Sequence, residues 1–138
     1  MDIQGKVIAY SKRDPKGKTV MVGGKKVITL FIFGRNKETD TSLFSLDKFA
    51  FVSRNHGTFQ KIKERTYTYT DPSSKVGSYF RPAKDFFTTL LRLLGRAQEQ
   101  RLTKNEPIGL HVGDEIVVMY TAKEGDRVEI ILKVTSLD

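Results

Sequence analysis

Ser53, Arg54, Asn55 and His56 bring a hydroxyl, a guanidinium, an amide and an imidazole into four consecutive positions. The apolar Phe49-Ala50-Phe51-Val52 leads into them, and Gly57-Thr58-Phe59 after them reads as the start of a strand. A strand that only filled a core would alternate apolar and polar residues. Hydrogen-bonding groups gathered where a strand begins instead mark a loop-borne site. The chemistry open to them is donation to an anion. A guanidinium offers a planar fork to two oxygens, and a serine offers a short hydroxyl. Arg35, at the end of an apolar run, and Lys75, in a turn, are further donors of this kind, although Arg35 taken alone reads rather as a surface arginine at a strand end. Catalysis is not expected. His56 and His111 are the only histidines and there is no cysteine, so no nucleophile, base and orienting acid suggest themselves, and no metal cluster does. Neither a metal nor a cofactor is expected.

The elements that must hold these groups are short and extended. Lys6–Tyr10 and Thr19–Val22 read as strands, with Gly23-Gly24 as a hairpin turn into Lys25–Phe33. Val27 to Phe33 is almost continuously apolar and is expected to be a central strand covered on both faces. Ser42–Leu46, Gly57–Ile62, Arg65–Thr70 and Ser78–Arg81 follow, then Pro107–Leu110, Glu115–Tyr120 and Arg127–Val134. Arg65–Thr70 alternates strictly and is rich in β-branched and aromatic residues. In the last strand Val128, Ile130, Leu132 and Val134 share a face. Between about 83 and 101, Phe86, Phe87, Leu90, Leu91 and Leu94 recur at helical spacing. The expectation is an all-β sandwich of two antiparallel sheets, about 10–11 strands, with one helical insertion near residues 83–101. With 138 residues, the chain suffices for one domain, spanning 1–138, and is too short for two ordinary ones.

Net charge is +8 and the sequence pI about 9.7. That surplus attracts phosphate, on protein, nucleic acid or membrane, without choosing among them. No run approaches the roughly 20 apolar residues that span a bilayer, and the N-terminal stretch has no apolar signal core. No membrane partner is expected, and an intracellular location, nuclear or cytoplasmic, is. Lys12, Arg13, Lys16, Lys18, Lys25 and Lys26, with Tyr67 and Tyr69 if exposed, would suit a basic β-barrel that stacks on single-stranded nucleic acid.

Four stretches occur in order: Phe33-Gly34-Arg35-Asn36, Val52-Ser53-Arg54-Asn55-His56, Asp71-Pro72-Ser73-Ser74-Lys75-Val76-Gly77-Ser78-Tyr79, and Leu110-His111-Val112-Gly113-Asp114-Glu115-Ile116. Together they resemble the forkhead-associated (FHA) domain, a phosphothreonine-peptide binding module, over roughly Val27 to Val134. The resemblance implies that Arg35, Ser53 and Lys75 face the phosphate and that Arg54 contacts the peptide backbone. Ser74 and Asn36 are secondary contact candidates. It also implies that His56 braces the loops carrying Ser53, that Gly34 and Gly77 support the site, and that Asp114 caps a turn. The partner would be a phosphothreonine-containing protein, written by an upstream kinase, in signalling or DNA-damage-response assembly.

The sequence departs from the family pattern at Val76, where the family usually has an asparagine that hydrogen-bonds the ligand backbone. Valine has no such group, and its loss would weaken binding by roughly 0.5–1.5 kcal/mol. The helical insertion is the second departure. Its apolar row is expected to pack on the sandwich, or, where exposed, to serve self-association or partner binding in a degenerate FHA scaffold.

Overall fold

The computed structural model describes residues 1–35, 50–83 and 100–138, apart from the side chains of Met21 and Val22. Ten strands run through them: β1 (Asp2–Tyr10), β2 (Lys18–Lys26), β3 (Leu30–Phe33), β4 (Gly57–Lys63), β5 (Thr66–Thr70), β6 (Tyr79–Arg81), β7 (Gln100–Arg101), β8 (Ile108–Gly109), β9 (Glu115–Thr121) and β10 (Arg127–Ser136). They form a six-stranded sheet, in the order β2-β1-β10-β9-β6-β7, and a four-stranded sheet, in the order β3-β4-β5-β8. Every pairing is antiparallel. The two sheets make the expected β-sandwich.

Period-two alternation builds the core. Ile130, Leu132 and Val134 of β10 and Ile116 and Val118 of β9 meet Phe31, Phe33, Phe59, Tyr67 and Tyr69 from the smaller sheet. Phe59 lies between Phe31, 6.0 Å away centroid to centroid, and Tyr69, 4.8 Å away. The first and last strands are paired along nine residues of β1, which brings the chain's two ends side by side.

Three expectations are corrected. Gly23-Gly24 is not a hairpin turn. β2 runs straight through it opposite Gly5 and Gln4, with a bulge between Gly5 and Lys6. The turn between β1 and β2 is at Ser11–Gly17, where Asp14-Pro15 and Gly17 are turn signals in the sequence and Asp14 N–H bonds the Ser11 carbonyl (3.2 Å) and hydroxyl (3.0 Å). Nor is Val27–Phe33 one central strand. Lys25 and Lys26 end β2 in the larger sheet, the chain crosses at 27–29, and β3 is an edge of the smaller one among the described residues. Ile28 is 72% and Leu30 49% exposed, because only alternate residues of the run, such as Phe31 and Phe33, face inward. Tyr67 and Tyr69 point into the core, 2% and 0% exposed, so the stacking platform that the nucleic-acid alternative requires is absent from β5.

The predicted helix lies outside the described residues, except at its ends. There Ala83 is non-helical and Gln100–Arg101 form a strand on β6, so the expected segment cannot reach residue 101. Ser42–Leu46, predicted as a strand, and Asn36 also fall outside. Among the described residues no helix is long and apolar enough to cross a membrane.

Candidate functional site

Three loops meet at one end of the sandwich, and Ser53 is where they join. The first leaves β3 at Phe33, the second enters β4 at Gly57, and the third connects β5 to β6. Arg35 N–H donates to the Ser53 carbonyl at 3.1 Å, and His56 N–H donates to the Phe33 carbonyl at 2.7 Å. These bonds carry the β3–β4 pairing past the last sheet residues. Arg35 Nε also donates to the Val52 carbonyl, which orients the guanidinium along the second loop. From the third loop, Lys75 N–H donates to Ser53 Oγ at 2.9 Å. A hydroxyl that accepts this bond keeps its own proton for an external acceptor. Among the described residues the outer guanidinium nitrogens of Arg35 make no hydrogen bond, and the Lys75 and Arg54 side chains are exposed without an ion pair. The result is a rim of N–H and O–H donors that carries three cations, Arg35, Arg54 and Lys75, around Ser53.

Gly34 is what permits the first two loops to touch. A Cβ added there would overlap the Arg54 carbonyl oxygen and stand 2.6 Å from its carbon and 2.8 Å from the Ser53 oxygen. The requirement is one of space: backbone lies against backbone where any side chain would sit.

His56 holds the second loop to the third. It is fully buried. Ser53 N–H donates to its Nδ1 at 3.1 Å, and its Nε2 lies 2.9 Å from the Gly77 carbonyl. An Nδ1 that accepts from a backbone N–H is unprotonated, so the ring is the neutral tautomer with its proton on Nε2. Burial lowers its pKa below the ordinary 6.5, against the opposing pull of the Gly77 carbonyl and the Asp71 carboxylate. A depressed folded-state value means that the unfolded chain takes up the proton first. His56 therefore contributes stability in full above pH 6.5, and that contribution falls away as pH drops below it. The urea midpoint is expected to decline between about pH 7 and pH 5, and to decline less in His56→Gln, which cannot charge. Superimposable pH profiles for the two proteins would contradict this assignment.

The third loop is built on a buried carboxylate that sequence reasoning passed over. Asp71 Oδ1 accepts from Ser74 N–H at 2.7 Å, while Oδ2 accepts from the Ser74 hydroxyl and, at 3.0 Å, from the Ser78 hydroxyl. Since Ser78 donates to Asp71, Tyr69 must donate in their 2.8 Å bond. Burial pushes the Tyr69 phenol well above its ordinary value, which keeps that donor protonated. Ser74 is thus a correction to the expected contact set. It is 1% exposed and its hydroxyl is spent on Asp71. The Asp-x-x-Ser spacing, an Asx-type capping pattern, was the available signal.

The fourth sequence stretch sits at the other end. Asp114 precedes β9, whose seven residues, at roughly 3.3 Å each, carry the chain about 20 Å toward the Ser53 rim. Its carboxylate accepts from His111 N–H and Ala83 N–H, both at 2.8 Å. The His111 side chain is 83% exposed. This cap fixes the turn into β9 and contributes nothing to the rim. No group of three or more His, Asp or Glu able to hold a metal occurs among the described residues.

No family model matches the sequence, and no curated protein matches it. Solved structures do match the fold. An engineered FHA domain with a Myc-pTBD peptide superposes with a TM-score of 0.53 at 20% identity, covering 97% of this chain and 93% of that one. The N-terminal FHA domain of S. cerevisiae Rad53p, in complex with a phosphothreonine peptide, gives 0.51 at 16% identity, covering 96% and 94%. The solution structure of the yeast Rad53 FHA1 domain gives 0.50 at 17%, covering 98% and 79%.

Proposed function

On the forkhead-associated fold that this chain adopts, we propose that residues 1–138 form a single phosphopeptide-binding domain that recognises phosphothreonine in a partner protein and catalyses nothing. One observation carries the reading: Ser53 is gripped through its carbonyl by Arg35 and through its hydroxyl oxygen by Lys75. Donors from three separated parts of the chain are therefore within reach of one phosphate. A dianion needs such convergence, because a single surface cation in water holds it only weakly. Arg35 is assigned to the phosphate as a forked donor, Ser53 as a hydroxyl donor and Lys75 as a mobile charge. Arg54, exposed on the same loop, is assigned to the peptide backbone. A solved structure of this fold, the N-terminal FHA domain of Rad53p, was determined with a phosphothreonine peptide, which supports the same ligand class here.

A kinase must write the mark, so the domain is assigned to a compartment where kinases act, cytoplasm or nucleus, in signalling or DNA-damage-response assembly. Calorimetric titration with an oriented phosphothreonine library, beside phosphoserine and unmodified controls, tests this. Phosphothreonine is expected to bind tightest, by the order of 0.8 kcal/mol for one buried methyl, and the unmodified library not measurably. Equal affinity for all three would remove the proposal.

A further inference from the structure

Positive charge is not spread evenly along the chain. Residues 2–26, the β1–β2 hairpin, contain seven Lys or Arg and two Asp, so 25 of the 138 residues carry +5 of the net +8. Two of the seven are engaged. Lys26 Nζ lies 3.1 Å from the Asp138 carboxylate, and Lys25 Nζ lies 5.8 Å from the centre of the Phe31 ring. Lys12, Arg13, Lys16 and Lys18 are exposed at the turn and, among the described residues, make no ion pair. Asp14 is the one carboxylate between them.

The turn that carries these cations is fixed in place. Ser11 N–H and Gly17 N–H both donate to the Asp14 carbonyl, at 3.1 and 3.2 Å. Gly17 has a φ of +81°, and a Cβ there would stand 2.6 Å from the Ile8 side chain and 2.7 Å from the Tyr10 ring. The turn therefore lies folded against Tyr10. Between it and the β9–β10 turn is a cleft of about 290 Å³, to which Ser11, Lys12, Thr121 and Arg127 contribute. Arg127 is balanced by the buried Glu129, 3.5 Å away, and Lys123 stands in a turn with Glu124 and Asp126. The unbalanced charge is thus that of residues 12–18. Tyr10 pairs with Arg127, and Arg127 with Thr121 at the end of β9, two strand spacings or about 10 Å away. There Tyr120 stacks on Phe51, ring centroids 5.2 Å apart, and Phe51 precedes Ser53 by two residues. The basic turn and the Ser53 rim share one end of the sandwich but are separate surfaces.

Side-chain chemistry at the turn narrows the ligand. Lys12-Arg13-Asp14-Pro15-Lys16 presents no large apolar group, so it has nothing to sink into a bilayer and no anchor for a pocket on a protein partner. A lone exposed cation holds an anion only weakly in salt. Four together gain from a ligand that brings phosphates in series and releases counterions from each. We propose that the β1–β2 turn binds the phosphate backbone of nucleic acid, without reading its sequence, at a surface separate from the Ser53 rim. Tyr67 and Tyr69 are buried, so contact is with phosphates rather than with stacked bases. This binding does not require an occupied rim.

Fluorescence anisotropy with a labelled DNA duplex, and with a second duplex of the same composition in scrambled order, tests this between about 50 and 200 mM salt. Both are expected to bind alike, with log affinity falling against log salt at a slope of roughly −3 to −4, the value for four neutralised phosphates. The triple variant Lys12→Ala, Arg13→Ala, Lys16→Ala is expected to lose roughly tenfold or more at the lower salt and to flatten the slope to about −1. A second triple variant, Lys63→Ala, Lys104→Ala, Lys133→Ala, removes the same charge from exposed lysines elsewhere and is expected to bind as the unmutated protein does. Thermal unfolding checks that each variant is folded. Arg35→Ala is expected to bind the duplex normally, and the turn variant to keep the phosphopeptide affinity of the unmutated protein. Equal losses in the two triple variants would reduce the attraction to overall charge, and a loss in Arg35→Ala would place the duplex on the Ser53 rim. Capture by equimolar phosphatidylserine–phosphatidylcholine vesicles without duplex binding would assign the turn to membranes. Each of these results overturns the proposal and leaves phosphothreonine binding untouched.

Discussion

Arg35→Ala is expected to reduce affinity for a phosphothreonine peptide at least a hundredfold while the protein stays folded. The side chain hydrogen-bonds inward through Nε only, to the Val52 carbonyl. Its outer nitrogens form the one forked donor among Arg35, Ser53 and Lys75. Hydrogen bonds to a charged partner contribute roughly 1.5–3 kcal/mol each, and two of them lost together exceed the ~1.4 kcal/mol per decade of affinity by more than twofold. Arg35→Lys keeps the charge and loses the fork, so it is expected to recover only part of the affinity. Titration calorimetry on both variants, with unfolding curves alongside, gives the answer. Unchanged binding by Arg35→Ala would assign partner recognition to a different surface, as in a degenerate scaffold.

Gly34→Ala is expected to damage fold and site at once. The added methyl has no space, since it would sit on the Arg54 carbonyl. Both neighbours are backbone, so relief requires the first two loops to separate. Overpacking of this kind costs roughly 1–3 kcal/mol. Separation also weakens the Arg35–Ser53 and His56–Phe33 backbone bonds, at roughly 0.5–1.5 kcal/mol each. The melting temperature is expected to fall by roughly 8–15 °C for a chain of this size. Below that temperature, the folded protein is expected to bind phosphopeptide more weakly than wild type, because Arg35 no longer lies against Ser53. A variant that melts normally would show that the loops can part without strain. One that melts early but binds normally would separate Gly34 from the site.

Much of the architecture is local and was therefore legible. Strict alternation at Arg65–Thr70 and the Gly113-Asp114 pair each act within a few residues, and the structure has a strand at the first and a turn at the second. The order of the four stretches pointed to a fold whose loops converge, and the identity of the donors was written in their side chains. The apolar run Val27–Phe33 misled because hydrophobicity records what a residue can bury, whereas strand position depends on partners far along the chain.

Residue types and their spacing determined by themselves that this is a β protein whose loops carry hydrogen-bond donors and cations. Tertiary structure alone decided which face of each strand is the inside. The pattern Thr-Tyr-Thr-Tyr-Thr requires the two tyrosines to share a face, but only packing against Phe59 made that face the core. In the same way it turned Ser74 inward to Asp71, set Gly34 against Arg54, and brought Tyr120 onto Phe51. Each of these contacts except Ser74–Asp71 joins residues about ten or more positions apart, and contacts at such separation depend on the folded chain rather than on local conformational preference.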